Sequence, residues 1–454
     1  MPVDGGWNRR SLLRGAAVVA GAAATAPLLG KAATAHAGPG DADDADALFR
    51  AGEFERAGRA YEEILKKDPK NVHAARRRGY VGLLSNRFPE AEKYLTMALG
   101  LAPGDKEASQ FLADCYTRQD KFSLAVPHWQ AAGEDVYAKW FAAFRGEPYQ
   151  VHGDTGRVPW RQMDPFPLLE GSINGGPPKN FMFYTRVAWL GVSARTAKEA
   201  GLSAVASQKI EYAGRTIWMY FGVLGSFKLG GIELRNIPVQ WSDDADAPTH
   251  DGIIGTWILY HFLTTVDYAG RSLILRRRTP ETARKARADA ARAGVKPLPL
   301  WLAREHLLHS QGSIADSGTK VVALDIGGTG EQVAGMSVET AAQLRVRTDY
   351  ERPLEAYAGG QPVISYPCYP KEVRLGDAAA KNVYCYADKG GGTGGFASAD
   401  AQGNAALAGA AEAGGPGDFG FDVLGHFSHS FYKPYNVTLD FTGMNLYIAH
   451  GKAT

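Results

Sequence analysis

A repeat of 34 residues near the start of the chain constrains the fold more than any other feature of the sequence. When the sequence is shifted against itself by this period, four columns fall in register: Phe54, Phe88, Phe122; Ala57, Ala91, Ala125; Tyr61, Leu95, Trp129; and Pro69, Pro103. A fixed period of this length indicates a repeat architecture in which each unit buries its apolar face against the next unit. Three copies are enough for a stable stack.

These columns resemble the tetratricopeptide repeat, whose unit is a pair of helices. The resemblance implies an α-helical solenoid over residues 38–145, in which small Ala side chains let paired helices approach. It also implies a docking site for a protein partner, and the basic run Arg76, Arg77, Arg78 would suit an acidic one. The alternative is that these charges solvate a helix face and that the stack packs against the next domain.

The rest of the chain is too long and too rich in turn-forming residues to be helical throughout. At 454 residues, two or three domains are expected, and 54 Gly and 24 Pro favour a large β component. The 50 basic and 48 acidic side chains nearly balance, which argues against a nucleic-acid binder. Three cysteines without metal-ligand spacing predict no metal site, and no cofactor is expected. Whether Cys368 and Cys385 are bonded stays open.

Residues 1–37 have the pattern of an export signal. The stretch NRRSLLRG at 8–15 precedes a mildly apolar run at 16–29 and the small-x-small sequence AHA at 35–37. This resembles a bacterial twin-arginine signal, so we expect cleavage near Ala37 and an extracytoplasmic protein, secreted or held in the cell envelope. The apolar run has about 14 residues, fewer than the ~20 needed to cross a bilayer, so no stable membrane span is expected after cleavage.

From about residue 150 the helical period gives way to short β-type runs bounded by glycine. Their landmarks lie, in order, at 171–175, 181–187, 192–202, 227–232, 236–239 and 251–255, and a second set follows at 321–328, 336–344, 373–376, 421–425 and 435–448. This order resembles a retropepsin/pepsin-like aspartic peptidase. The resemblance implies two lobes with a cleft between them.

The sequence therefore predicts a multidomain α + β protein, with an N-terminal α-helical tetratricopeptide-like solenoid followed by a mainly-β bilobal aspartic-peptidase-like module. The predicted boundaries are 1–37 for the signal, 38–145 for the repeats, 146–164 for a linker, 165–278 for lobe one, 279–310 for a helical connector and 311–454 for lobe two. A Gly/Ala-rich insertion is predicted at 389–418.

The catalytic pair is where the sequence departs from the family pattern. Such peptidases use one carboxylate from each lobe, one as base and the other as acid. The floor of the cleft is expected to hold Asp325, Ile326 and Gly327 from lobe two and, in place of Asp-Thr-Gly, Tyr184, Thr185 and Arg186 from lobe one. A phenol with an ordinary pKa of about 10 cannot replace the missing carboxylate. We therefore expect ordinary aspartic proteolysis to be lost.

Three functions stay open. The first is binding of a peptide or another extended ligand in the cleft. The second is a non-proteolytic reaction on a small apolar ligand, such as hydrolysis, cyclisation or isomerisation, that uses Asp325 with Tyr184 or Arg186. The third is a residual peptidase that recruits a second acid, Asp251 or Asp154. A literal Asp-Thr-Gly occurs at 154–156, but it lacks the apolar strand before it and is predicted to be a turn.

Two further sets of residues are weaker candidates. The hairpin at 210–216 corresponds to the flap of the family, so Tyr212 and Trp218 are expected to contact a ligand; simple sheet packing is the alternative. On a helix, residues three apart could share a metal, and this spacing occurs in His306 with His309 and in His426 with His429. No carboxylate completes either pair at a convincing spacing, so solvated or core histidines are expected.

Overall fold

A computed structural model describes most of the chain. The described residues are 39–164, 166–212, 215–243, 250–304, 306–327, 331–358, 361–389 and 419–451. The predicted signal at 1–37 and all but the first residue of the predicted insertion at 389–418 lie outside them. Within these ranges, no helix is long and apolar enough to cross a membrane.

The N-terminal part is a stack of paired helices. Its helices are α1 (Pro39–Arg50), α2 (Phe54–Lys67), α3 (Val72–Leu84), α4 (Phe88–Leu101), α5 (Lys106–Thr117), α6 (Phe122–Ala132) and α7 (Asp135–Ala142). The second helix of each pair begins at Phe54, Phe88 or Phe122, so the period of the sequence is the period of the structure. The side chains of Asn71 and Asp105 each accept a backbone N–H and so begin α3 and α5.

The small residues of the repeat lie where paired helices touch. Ala57, Ala91 and Ala125 are fully buried. Gly82 of α3 faces the start of α4, and a Cβ added there would lie 2.9 Å from the backbone nitrogen of Ala91. A larger residue at Gly82 would push the two helices apart. The tetratricopeptide-like solenoid is therefore confirmed.

The rest of the described chain is mainly β. The first lobe contains β1 (Gln150–His152), β2 (Thr155–Gln162), β3 (Leu168–Ile173), β4 (Lys179–Phe183), β5 (Leu190–Val192), α8 (Ala194–Glu199), β6 (Ala204–Tyr212), β7 (Arg215–Leu229), β8 (Ile232–Ser242), β9 (Gly252–Ile254), α9 (Thr256–Tyr260), β10 (Phe262–Asp267) and β11 (Ser272–Arg277). Helix α10 (Pro280–Arg292) follows it.

The second lobe contains β12 (Leu298–Pro299), β13 (Trp301–Ala303), β14 (Leu307–Ile314), β15 (Lys320–Leu324), β16 (Ala334–Ser337), α11 (Val338–Gln343), β17 (Arg347–Thr348), β18 (Leu354–Ala358), β19 (Gln361–Tyr369), β20 (Glu372–Leu375), β21 (Ala378–Lys381), β22 (Cys385–Lys389), β23 (His426–Phe427), α12 (His429–Tyr432), β24 (Tyr435–Asp440) and β25 (Asn445–His450). With the helical stack, these strands confirm the multidomain α + β prediction.

The strands form two large sheets. One runs β12-β25-β24-β10-β11-β2-β3-β4-β9-β5-β8-β7-β6, with β1 beside β8, and the other runs β17-β19-β22-β16-β23-β15-β14-β20-β21, with β13 beside β14 and β18 beside β19. The C-terminal hairpin β24–β25 belongs to the first sheet, where Val437 lies opposite Val266 of β10. The end of the chain therefore ties the second lobe to the first.

Three segments differ from the sequence-based expectation. The stretch 146–164, expected as a linker, contains β1 and β2; β2 alternates exposed and buried residues and pairs with β3 and β11. Pro159 lies within this alternating stretch, and because a proline argues against a strand, the sequence pattern did not predict β2. The connector at 279–310 is helical only as far as Arg292. The strand that crosses behind the floor of lobe two is β23 rather than residues 421–425.

The helical stack packs directly on the β module. The ring of Phe54 lies 4.8 Å from that of Trp301 and 5.0 Å from that of Phe421, measured between centroids. Gly52, between α1 and α2, has a φ of +77°, and a Cβ there would lie 2.2 Å from Cγ2 of Val321 in β15. The stack therefore packs against the next domain, as the alternative expectation had it.

The basic run of α3 is engaged inside the stack. Arg76 donates to Asp105 at 2.6 Å, and Arg78 donates to Glu62 at 2.7 Å and to Glu90 at 2.6 Å. These ion pairs join neighbouring helices. They leave this run with little charge to offer an acidic partner.

A buried arginine joins the stack to lobe two. The side chain of Arg118, at the end of α5, has no exposed surface and pairs with Asp114. It also donates to the carbonyl oxygens of Leu83 at 3.0 Å and of Leu302 in β13 at 3.2 Å. One side chain thus satisfies backbone groups of a repeat and of the β module.

Replacing Arg118 with Met should destabilise the protein strongly. The change leaves the Asp114 carboxylate buried without its partner, which typically costs about 3–5 kcal/mol. The free energy of unfolding in urea measures the loss. The matched control is Arg56→Met, because Arg56 forms an exposed pair with Glu53 and should lose no more than about 1 kcal/mol. Equal small losses in both variants would contradict a bracing role for Arg118.

Candidate functional site

The floor of the interlobe region is built from two equivalent loops. Phe183 at the end of β4 lies opposite Ile254 in a parallel pairing, and Leu324 at the end of β15 lies opposite Phe427 in the same way. The next residue of each loop repeats the relation: Tyr184 N donates to Ile254 O at 3.1 Å, and Asp325 N donates to Phe427 O at 2.9 Å.

The strand register therefore makes Tyr184 the equivalent of Asp325. By the same register, Thr185 is equivalent to Ile326 and Arg186 to Gly327. The alignment of the two lobes made from sequence agrees with this geometry at all six floor residues.

Thr185 ties the two loops together. Its hydroxyl donates to Leu324 O at 3.2 Å and accepts from Ile326 N at 2.9 Å, and its own N–H donates to Ile326 O at 3.2 Å. Thr185 and Ile326 are fully buried. Because Ile326 has no hydroxyl, it cannot form the equivalent side-chain hydrogen bonds to the loop of Tyr184. Only the Thr185 side chain links the two loops.

The two loops differ at their third residue. Gly327 has a φ of +89°, and a Cβ there would lie 2.2 Å from Cδ1 of Phe183. Only glycine fits this contact without a shift of Phe183. The equivalent residue of lobe one is Arg186, whose side chain is buried. A cation thus lies under the floor where the family pattern has glycine.

Asp325 lies in a desolvated position. It is 2 % exposed, and its Oδ1 has no hydrogen-bond partner among the described residues. Burial raises the pKa of the Asp325 carboxyl to about 7, while the charge of Arg186 acts in the opposite direction. Below this value the group is a neutral acid. Tyr184, by contrast, is only half-buried.

Side chains from distant parts of the chain support the Asp325 loop. Tyr268, which follows β10, lies beside the backbone of Gly327, which lowers its pKa against the larger effect of burial, and its hydroxyl lies 3.1 Å from Nδ1 of His429. Tyr432 lies nearby; its pKa is raised by burial and, to a smaller extent, by Tyr268 and Asp325. The spacing of His426 and His429 is the one feature of the sequence that pointed to any of these side chains.

The four histidines do not lie on a common helix. His309 is a residue of β14 and His426 of β23, while His429 begins α12. Their spacing of three therefore does not place either pair on one helix face. Among the described residues, no group of three or more His, Cys, Asp or Glu side chains is arranged to hold a metal ion.

The alternative carboxylates lie away from the floor. Asp251 accepts hydrogen bonds from Arg195 and from the backbone of Asn180 at the far end of β4, about 13 Å along the strand from Tyr184. Asp154 is exposed and pairs with Arg277 at 3.2 Å. Neither is placed to complete a pair with Asp325 in this conformation.

The hairpin β6–β7 carries the two expected flap residues. Trp218 is 37 % exposed, and Nζ of Lys209 lies 5.1 Å from its ring centroid. Tyr212 ends β6, and its side chain lies outside the described residues. Strand β6 is the last strand of its sheet, so one of its edges is unpaired within the described part of the chain.

Two family models match the chain. A tetratricopeptide repeat model matches residues 43–106, and an aspartyl protease model matches residues 169–257. The chain thus joins tetratricopeptide repeats to a retropepsin-like aspartyl protease domain. The second match contains Tyr184, Thr185 and Arg186 and ends before Asp325, whose assignment rests on the strand register. No curated protein matches the chain.

The hydroxyl of Thr185 should matter more than its methyl group. Thr185→Val keeps the shape but leaves the N–H of Ile326 without its hydrogen-bond acceptor, which should cost about 1–3 kcal/mol of unfolding free energy. Thr185→Ser keeps the hydroxyl and should restore most of that loss. Urea denaturation of the two variants checks the ranking, and a loss in Thr185→Ser as large as that in Thr185→Val would contradict it.

Asp325 should make stability fall as the pH rises. Its pKa is higher in the folded than in the unfolded chain, so between about pH 4 and pH 7 the folded state binds more protons. Relative to Asp325→Asn, the wild type should lose up to about 1.4 kcal/mol per pH unit in that window. Buried histidines such as His309, whose pKa is lowered to about 3, act in the opposite direction in both proteins and cancel. Parallel pH curves for the two proteins would refute the shift.

Proposed function

We propose that this protein is an exported, aspartyl-protease-like binding protein that holds a peptide or another extended ligand between its lobes without ordinary aspartic proteolysis. The observation that carries the proposal is the strand register that makes Tyr184, a phenol, the equivalent of Asp325. Proteolysis of this kind needs two carboxylates that share a proton. One carboxylate cannot activate the water and protonate the substrate at the same time.

The burial of Asp325 also favours binding over turnover. Its carboxylate is 2 % exposed, so a substrate cannot reach it unless neighbouring groups move. Its loop is held by the hydroxyl of Thr185, which accepts the N–H of Ile326. Tyr184 is the more exposed of the two equivalent residues and is the one we assign to ligand contact, together with Trp218 of the hairpin.

An extended ligand fits the hairpin better than a compact one. Strand β6 is an edge strand, and an edge can pair with an added strand through main-chain hydrogen bonds. Val205 on this strand and Trp218 on its neighbour are exposed apolar side chains that would contact such a strand. This combination supports a peptide over a small apolar molecule.

The helical repeats support a protein partner on their outer surface. Repeats of this type commonly mediate protein interactions, but here Phe49 and Phe54 already contact the β module. Leu101, at the end of α4, is exposed and is the apolar residue that we assign to such a partner. The export part of the proposal rests on the twin-arginine pattern at 8–15 alone.

A non-proteolytic enzyme is the second candidate. The observation in its favour is the pKa of Asp325, which burial raises to about 7, where a group can exchange a proton near neutral pH. Tyr184 would then donate a hydrogen bond or a proton. The residual peptidase has less support, because Asp251 and Asp154 are both engaged elsewhere.

A random peptide library separates these candidates. The chain from residue 38 to 454 and its Asp325→Asn variant are incubated with the library between about pH 3 and pH 7, a range that includes the upper pKa of a working dyad and reaches that of Asp325. Mass spectrometry then records cleaved products and the peptides retained with the protein. We expect no cleavage by either protein and retention of the same peptides by both.

Two further variants locate the binding surface. Trp218→Ala should weaken peptide retention, while Leu124→Ala, an exposed apolar residue of the stack, should leave it unchanged. Cleavage that disappears in Asp325→Asn would overturn the proposal and restore a peptidase. Chemical conversion of bound molecules that is lost in Tyr184→Phe would favour the second candidate instead.

A further inference from the structure

Two of the three cysteines face each other across a strand pair in lobe two. Cys368 in β19 and Cys385 at the start of β22 are direct partners in an antiparallel register. Both are fully buried, and both are free thiols in this structure. They lie in the described core of the lobe.

The ladder brings directly opposite side chains into contact. Three positions along the same two strands, the hydroxyl of Ser365 donates to the carboxylate of Asp388, its register partner. The thiols are also mutual neighbours, because Cys385 contributes to raising the pKa of Cys368. Side chains that are register partners in this strand pair are therefore close to each other.

The spacing of the two backbones suits a disulfide. The carbonyl of Pro367 accepts the N–H of Asp349, so this carbonyl points away from β22. Backbone polar groups alternate in direction along a strand, so Cys368 turns its own groups towards Cys385. Cα atoms of such a pair lie about 5.5 Å apart, within the range of about 4.4–6.8 Å found for disulfides, and the Cβ atoms, also about 5.5 Å apart in such a pair, must approach by about 1 Å as the bond forms.

We propose that Cys368 and Cys385 form a cross-strand disulfide when the chain meets a disulfide donor, and that Cys115 does not take part. In this reaction the two thiols lose two protons and two electrons and form one S–S bond. The donor, an oxidised dithiol protein or oxidised glutathione, takes up both and leaves as two thiols. Cys115 is buried in α5 of the helical stack, with Gln119 beside its sulfur.

The bond would link the two strands that precede and follow the β20–β21 hairpin. It closes the segment from β19 through the β20–β21 hairpin to β22, which restricts the unfolded chain more than the folded one. The bond would therefore stabilise lobe two without any change at the floor residues. The proposal does not depend on the proposed function, since it concerns a pair of thiols in the fold itself.

The test uses the full chain refolded from denaturant in a mixture of oxidised and reduced glutathione. Free thiols are blocked with iodoacetamide, and an unreduced digest is analysed by mass spectrometry. We expect a cross-linked peptide pair containing Cys368 and Cys385, and alkylated Cys115 in the same digest. The oxidised form should melt roughly 5–10 °C above the reduced form.

Two variants keep the result interpretable. Cys115→Ala removes the third thiol and should leave the cross-link and the shift in melting temperature intact. Cys368→Ser should abolish both. Glutathione adducts at Cys368 and Cys385 in place of the cross-link, or free thiols at both positions in correctly refolded wild type, would overturn the proposal; the wild-type digest decides this even where a variant fails to fold.

Discussion

The hydroxyl of Thr185 is the interaction on which the rest of the site depends. It bonds at once to the carbonyl of Leu324 and to the N–H of Ile326, which lie on either side of Asp325. The bonds are buried, so water does not compete for them. By fixing both sides of Asp325 to the loop of Tyr184, one side chain sets the relative position of the two lobes at their meeting point.

The one-sided tie is part of a wider asymmetry between the lobes. Ile326 places methyl groups where a second hydroxyl would bond. The polar side chains of Tyr268, His429 and Tyr432 lie near the Asp325 loop. Burial raises the pKa of Asp325 to about 7 and lowers that of His429 to about 4. Between these values both groups are neutral, which is the state that a desolvated interior favours. The charge of Arg186 acts against the burial of Asp325.

The sequence could predict those features of the fold and the site that depend on local residue patterns, and not those that depend on contacts between distant parts of the chain. The helix starts at Phe54, Phe88 and Phe122 repeat at a fixed spacing, and Thr185 lies in a recognisable local pattern, so both were accessible. The contact of Tyr268 with His429 joins residues 161 positions apart. Arg118 donates to the backbone carbonyl of Leu302. Every residue type has such a carbonyl, so the residue type at this position does not indicate the contact. Contacts of these two kinds could not be predicted from residue types.

Strand β15 explains why the helical stack and the floor belong to one structure. At one end of the strand, Val321 is covered by the turn at Gly52, and at the other, Leu324 accepts the hydroxyl of Thr185. The first and last Cα atoms of the five-residue strand β15 lie about 13 Å apart, so the strand runs directly from the stack to the site. Removing the stack would expose Trp301, Val321 and Phe421 together, an apolar surface that a folded domain rarely leaves in water. The repeats therefore complete the core of lobe two, and the strand that leads to Asp325 is packed against the stack.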